Sequence, residues 1–365
     1  MTDASDSRPR SRFAAMARRL RDAVKPPDAN FKTVNLALQG GGAYGAFTWG
    51  VLDGLLQDER IDFEAISGTS AGAMNAVVLA DGLMRDGVDG ARTRLHEFWH
   101  GVSREGIHAG AAGDIMQSML GFWEMPGFSP LATFEHFASM VSPYRTDPRS
   151  INPLRAILDE LVDFDKVRAN DALKLFISAT NVRDGKIRVF SGDEITADAI
   201  LASACLPYLF QAVEIDGEAY WDGGYTGNPA LFPFFTETDC ADILLVQVNP
   251  VRRETVPTTS HAIMERVAEI TFNASLLREF RAIDFVNRLL EENRLDPKRY
   301  KRNRLHRIDA TEALAKYTAS SKLDTSWRFF EDLHEAGIAA AREWLAAHYD
   351  DIGVRATVDL RKEFG

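Results

Sequence analysis

The sequence predicts an α/β fold, a three-layer α/β/α arrangement with a mainly parallel central sheet and a helical C-terminal extension. Three observations lead there. Residues 33–83 alternate short apolar runs with helical stretches in the order β-α-β-α, the pattern of parallel strands covered by helices. Glycines crowd both strand-to-helix junctions, and beyond Pro257 the chain turns mostly helical. With 365 residues it is long enough for one large α/β domain with additions.

Thr33–Leu38 reads as a buried strand that runs into Gly40, Gly41 and Gly42. Ala43–Leu56 is apolar on nearly every face, which suits a buried helix. Phe63–Ser67 is the second strand, and Ala71–Leu83 is a helix of small residues. Strand signals resume at Leu173–Thr180, Ile187–Ser191, Val213–Ile215 and Ile243–Val248, with Asp216-Gly217 as a hairpin turn between two such runs. In the C-terminal part a strand is expected near Leu305–Ile308 and a long amphipathic helix over Trp327–His348. The basic run Lys298–Arg307 reads first as a solvated strand face, and second as a site for an anionic head group or partner.

Two segments have a different texture. Residues 1–30 form a tail closed by Pro26-Pro27, with seven basic and three acidic residues before Pro26. The tail is expected to be disordered; Phe13, Met16, Ala17 and Leu20 at helical spacing offer the alternative of peripheral contact with an anionic membrane. Residues 106–150 mix Met116, Met119, Phe122, Trp123, Met125 and Phe128 with Gly and Pro, and read equally as a lid or acyl groove and as ordinary core.

Charge and cysteine content narrow the function. With 53 acidic against 42 basic residues, nucleic acid is disfavoured as a partner, since phosphate binding needs a broad basic face. Cys205 and Cys240 have no CxxC or Cys/His spacing, which points to a reducing compartment with neither disulfides nor zinc. No Asp-rich calcium loop occurs, and neither metal nor cofactor is expected. With no apolar run near the ~20 residues of a membrane span and no apolar secretory leader, the expectation is a cytoplasmic protein, peripheral at most. Its oligomeric state is open.

Three motifs carry chemistry. Gly68-Thr69-Ser70-Ala71-Gly72 lies between a strand and a helix, the setting of a nucleophile elbow. There Gly68 and Gly72 permit a tight turn that exposes the Ser70 hydroxyl, while the helix from Ala71 aims free N–H groups at developing negative charge. Gly40-Gly41-Gly42-Ala43-Tyr44-Gly45 follows the first strand. It fits a dinucleotide loop, though the next strand ends in the serine elbow rather than in an acid. It equally fits an oxyanion hole, in which backbone N–H groups converge without obstructing side chains. The third motif is Asp222-Gly223-Gly224, elsewhere often a simple turn. An α/β-hydrolase triad would recruit His261, His306, His334 or His348, but that fold places its elbow after several strands, and here only one strand and one helix precede the elbow strand. A Ser-Asp dyad is therefore favoured over the triad, over a dinucleotide-binding protein and over a non-catalytic lipid-binding scaffold.

In this order and spacing the three motifs resemble the patatin-like phospholipase family, in the form of a bacterial member, over about Val34 to Pro250. Ala202-Ser-Ala-Cys-Leu-Pro207 and Asn152-Pro-Leu-Arg155 also look like family features. The resemblance implies a catalytic domain over 34–250, with a helical extension over 257–365 packed on it. It implies hydrolysis of carboxylic esters of acyl lipids, with Ser70 as nucleophile, Asp222 as base, and Gly40, Gly41, Gly42 and Ala71 at the oxyanion hole. Gly45, Gly68, Gly72, Gly223 and Gly224 are the motif glycines. One departure is Tyr44, where the family loop often has Arg or Lys.

Overall fold

Strand β1 (Lys32–Leu38) stands at the centre of the sheet, and its alternating side chains build both halves of the core. Val34, Leu36 and Leu38 enter one apolar cluster and Ala37 the other, as a period of two requires. The protein is described here from a computed structural model that covers residues 31–108, 144, 152–207, 209–317, 321–322 and 324–364. The expectations for the tail at 1–30 and the lid or groove at 106–150 lie outside the described residues, save the helix end at His108 and Tyr144.

Eight strands form one sheet: β1, β2 (Ile61–Gly68), β3 (Lys174–Asn181), β4 (Ile187–Ser191), β5 (Val213–Ile215), β6 (Glu218–Asp222), β7 (Asp242–Gln247) and β8 (Arg304–Asp309). Their order is β5-β6-β3-β2-β1-β7-β8, with β4 paired to β3 outside that path. The run β3-β2-β1-β7-β8 is parallel, and β4, β5 and β6 pair antiparallel. The chain passes from β1 to one side through β2 and β3, then returns to the other side with β7. The carboxyl ends of β1, β2 and β7 thus meet at a topological switch point, where α/β proteins place ligand sites.

The helices are α1 (Gly45–Asp58), α2 (Ala71–His108), α3 (Pro153–Leu161), α4 (Phe164–Ala169), α5 (Ala197–Ser203), α6 (Pro233–Glu237), α7 (Ser260–Glu291), α8 (Thr311–Leu314), α9 (Trp327–His348) and α10 (Leu360–Phe364). One core cluster joins β1 and β2 to α1, α2 and α9; the other lies on the opposite sheet face, with Phe234 of α6 and Leu276, Phe280 and Ile283 of α7. That is the expected three-layer α/β/α architecture. Helix α1 is buried from Gly45 to Leu56, and α9 explains why it needs no polar face. The two helices touch through glycine: a Cβ on Gly50 would lie 2.0 Å from the His334 carbonyl oxygen, and one on Gly337 would lie 2.2 Å from that of Phe47.

Two details depart from the sequence reading. The helix expected over Ala71–Leu83 continues to His108 through a kink at Asp86 and Gly87, where Gly87 takes φ +61°. The basic run 298–307 is not simply a solvated face. Arg304 pairs with Asp242 at 2.6 Å and Arg307 with Glu363 at 2.6 Å. The Lys301 ammonium donates to the carbonyls of Phe234 at 2.7 Å and Thr238 at 2.6 Å, at the C-terminal end of α6. Partners some 60 residues away in sequence thus draw these charges inward.

Candidate active site

Ser70 sits at the turn from β2 into α2 with φ +54°. A non-glycine residue in the left-handed region is uncommon and costs of order 1–3 kcal/mol unless its surroundings enforce it. They do: the Ser70 N–H donates to Ser203 Oγ at 2.9 Å, and the Thr69 hydroxyl donates to the Gly227 carbonyl at 2.7 Å. Gly68 and Gly72 allow the turn to close, since a Cβ on Gly72 would stand 2.1 Å from the Leu38 carbonyl oxygen.

The glycine loop after β1 meets this elbow directly. A Cβ on Gly40 would lie 2.7 Å from Ser70 Cβ, and one on Gly45 would lie 2.6 Å from Ala71 Cβ. Gly42 takes φ +59°. The N–H groups of Gly41, Gly42 and Ala71 have no hydrogen-bond partner among the described residues, as befits residues at helix starts. Gly40 differs from expectation. Its N–H donates to Asn228 Oδ1 at 2.7 Å, which removes it from the set of open donors and makes it the fixed end of the loop.

Asp222 ends β6, whose pairing with β3 (Ala179 opposite Asp222) carries it towards the elbow strand. Its backbone is clamped: its N–H donates to the Cys205 carbonyl at 2.8 Å, and its carbonyl accepts from the Thr180 hydroxyl at 2.8 Å. The side chain is 1% exposed, and Oδ1 accepts from the Gly224 N–H at 2.7 Å. Burial pushes its pKa up from 3.8 to about 6, against the Gly224 N–H and the Ser70 hydroxyl, which both lower it. Ser70 is thus close enough for its hydroxyl to act on this carboxylate. The glycines after Asp222 are held by contact: a Cβ on Gly223 would meet the Ser178 carbonyl oxygen at 2.1 Å, and one on Gly224 would meet the Phe272 ring at 1.8 Å.

None of the described histidines has Ser70 or Asp222 as a hydrogen-bond partner. His306 Nε2 lies 3.0 Å from Asp242, His334 Nε2 lies 3.0 Å from Asp53, and His348 Nδ1 lies 3.0 Å from Asp351. The His261 side chain falls outside the described residues. Among the described residues no group of three or more His, Cys, Asp or Glu could hold a metal ion, and no helix is long and apolar enough to cross a membrane. Both cysteines are free thiols; burial pushes that of Cys205 up to about 12.

The sequence reading missed a buried cluster of carboxamides beneath the glycine loop. Gln39 Oε1 accepts from the Val248 N–H at 3.0 Å, the Asn249 N–H at 2.9 Å and Asn249 Nδ2 at 3.2 Å. Gln39 Nε2 donates to Asn273 Oδ1 at 3.0 Å and to the Asn228 carbonyl at 3.3 Å. The sequence reading also missed Ser203, whose hydroxyl accepts from the Ser70 N–H. The available signal was a buried amide directly after an apolar strand, as at Gln39 after β1 and Asn249 beyond β7.

Comparison with known proteins bears on the same region. The family model described as patatin-like phospholipase matches residues 36–235, a stretch that includes the glycine loop, the serine elbow and Asp222. Among solved structures, VipD from Legionella pneumophila is similar at 16% identity, over 87% of this chain and 67% of that one, with a TM-score of 0.40. A search of curated proteins finds no match.

Proposed function

The chain belongs to the patatin-like phospholipase family, and on that premise we propose that it cleaves carboxylic esters of acyl lipids through a dyad of Ser70 and Asp222. The family makes it a lipid acyl hydrolase. What supports the dyad is the place of Asp222, a buried carboxylate at the end of β6 whose pKa the Ser70 hydroxyl lowers, while His306, His334 and His348 each lie against a different acid.

Asp222 takes the Ser70 proton as Oγ attacks the ester carbonyl. The N–H groups of Gly41, Gly42 and Ala71 receive the charge on the carbonyl oxygen, while Gly40 anchors the loop. Collapse expels the alcohol, which leaves with the proton held by Asp222. Water, deprotonated by Asp222, then attacks the acyl-serine; the second collapse releases the fatty acid and returns the proton to Ser70. A carboxylate with a pKa of about 6 is a better proton acceptor than an ordinary aspartate, yet is still ionised at neutral pH. In this reading residues 34–250 carry the reacting groups, and 257–365 brace them through α7 and α9.

A fluorophosphonate probe tests the proposal. It should label wild-type protein at Ser70, and Ser70→Ala and Asp222→Asn should each abolish hydrolysis of short p-nitrophenyl esters. Activity retained in either variant would overturn the dyad.

A further inference from the structure

We propose that Asn249 is a positioning residue that aims the Gly41 N–H of the oxyanion loop, an inference that rests on the dyad reading and extends it. Asn249 follows β7, lies outside the family-matched segment, and is 1% exposed. Its Nδ2 donates to the Gly40 carbonyl at 2.6 Å. The Gly40–Gly41 peptide is trans, and in a planar trans peptide the C=O and the following N–H point in opposite directions. Drawing the Gly40 carbonyl towards Asn249 therefore turns the Gly41 N–H away from the amide cluster. That N–H has no other partner among the described residues.

The carboxamide has its own orientation fixed from both ends. Lys322 Nζ donates to Asn249 Oδ1 at 2.9 Å, while Gln39 Oε1 accepts from Asn249 Nδ2 at 3.2 Å. A flipped amide would set its NH₂ against the ammonium and its oxygen against two acceptors. Asn273 of α7 holds the next turn, donating from Nδ2 to the Pro250 carbonyl at 3.1 Å. At the other end of the same residue, Asn228 accepts the Gly40 N–H. Gly40 is thus held on both sides; Asn228 Nδ2 also reaches its carbonyl, at 3.5 Å, but Asn249 at 2.6 Å is the short contact that sets the plane of the peptide reaching Gly41.

The full-length chain with Asn249→Ala or Asn249→Asp tests this. Alanine removes the donor; aspartate keeps the volume and a partner in Lys322 but cannot donate to the Gly40 carbonyl. Loss of a single oxyanion donor costs about 10²–10³ in kcat, so a misaimed one should lower kcat by roughly tenfold or more. KM for a p-nitrophenyl ester should stay within about threefold. A trifluoromethyl ketone, whose hemiketal adduct with Ser70 mimics the tetrahedral oxyanion, should lose affinity by the same factor as kcat. A folded variant of either kind with kcat near wild type would overturn the inference, as would a fall in kcat with ketone affinity unchanged. Failure of both variants to fold would assign Asn249 a purely structural part and overturn it equally. A wild-type protein that does not hydrolyse the ester would instead refute the dyad.

Discussion

Replacing Asp222 with asparagine should abolish catalysis and at the same time stabilise the fold, by an amount that grows with pH. Burial raises the folded-state pKa from 3.8 to about 6, so folding favours the protonated acid. Its contribution to stability is fully present below pH 4 and is lost as pH rises through about 6. At about 1.4 kcal/mol per pKa unit, the ionised carboxylate costs the folded state about 3 kcal/mol at pH 8 and about 0.5 kcal/mol at pH 4. Asparagine has the same shape, can accept the Gly224 N–H and carries no charge, so it escapes that cost. With about 2.1 cal/mol/K of unfolding entropy per residue, a chain of this length unfolding as a unit gains roughly 1.3 °C per kcal/mol. Asp222→Asn should therefore melt about 4 °C above wild type at pH 8 and within about 1 °C of it at pH 4. Subtracting the two melting curves at each pH cancels the other titrating groups, as long as they act independently. A gap that stays constant between pH 4 and pH 8 would show that the carboxyl titrates normally, and the account of Asp222 as a burial-activated base would fail.

In the proposed dyad the same ionisation governs catalysis. Below about pH 6, kcat/KM for a p-nitrophenyl ester should fall about tenfold per pH unit, and the inflection should persist when His306, His334 and His348 are replaced in turn; loss of the inflection with any one of them would put a histidine in the mechanism. Gly224→Ala places a methyl group against the Phe272 ring, 1.8 Å from its nearest carbon, and should lower activity about tenfold or more. Adding Phe272→Ala should restore most of that, and no recovery would show that the ring is not the obstacle. Gly50→Ala drives a Cβ to 2.0 Å from the His334 carbonyl oxygen and should cost about 1–3 kcal/mol by parting α1 from α9. Urea unfolding should show it as a lower midpoint with an unchanged slope, and an unaltered midpoint would contradict the packing.

What could be read from the sequence was whatever local chemistry determines. Apolar runs gave β1 and β2, and Asp216-Gly217 gave a hairpin turn whose φ values of +52° and +79° suit those two residue types. The Gly-x-Ser-x-Gly spacing could be read because the elbow admits little else. The pairing of β8 beside β7 could not, because nothing in Arg304–Asp309 says which strand it will adjoin. The same holds for the charges of 298–307, whose partners are fixed only when the chain returns. The raised pKa of Asp222 also stayed hidden, because its burial depends on segments distant in sequence, such as that of Cys205, whose carbonyl accepts the Asp222 N–H.

The carboxamides escaped for a further reason. Gln39, Asn228, Asn249 and Asn273 come from four separate segments, and each alone is an unremarked amide. Together they form a buried hydrogen-bonded cluster beneath the glycine loop. A glycine loop by itself is floppy, because each glycine adds conformations that the catalytic geometry must exclude. The glycines that let N–H groups approach an oxyanion therefore require rigid partners elsewhere, and such partners must be polar and buried, since they hold peptide groups in a dry site. A buried amide at the carboxyl end of a strand beside a glycine loop is thus the expected counterpart of the motif. It should be sought in the segments that close the sheet, even where these lie outside the region the motif defines.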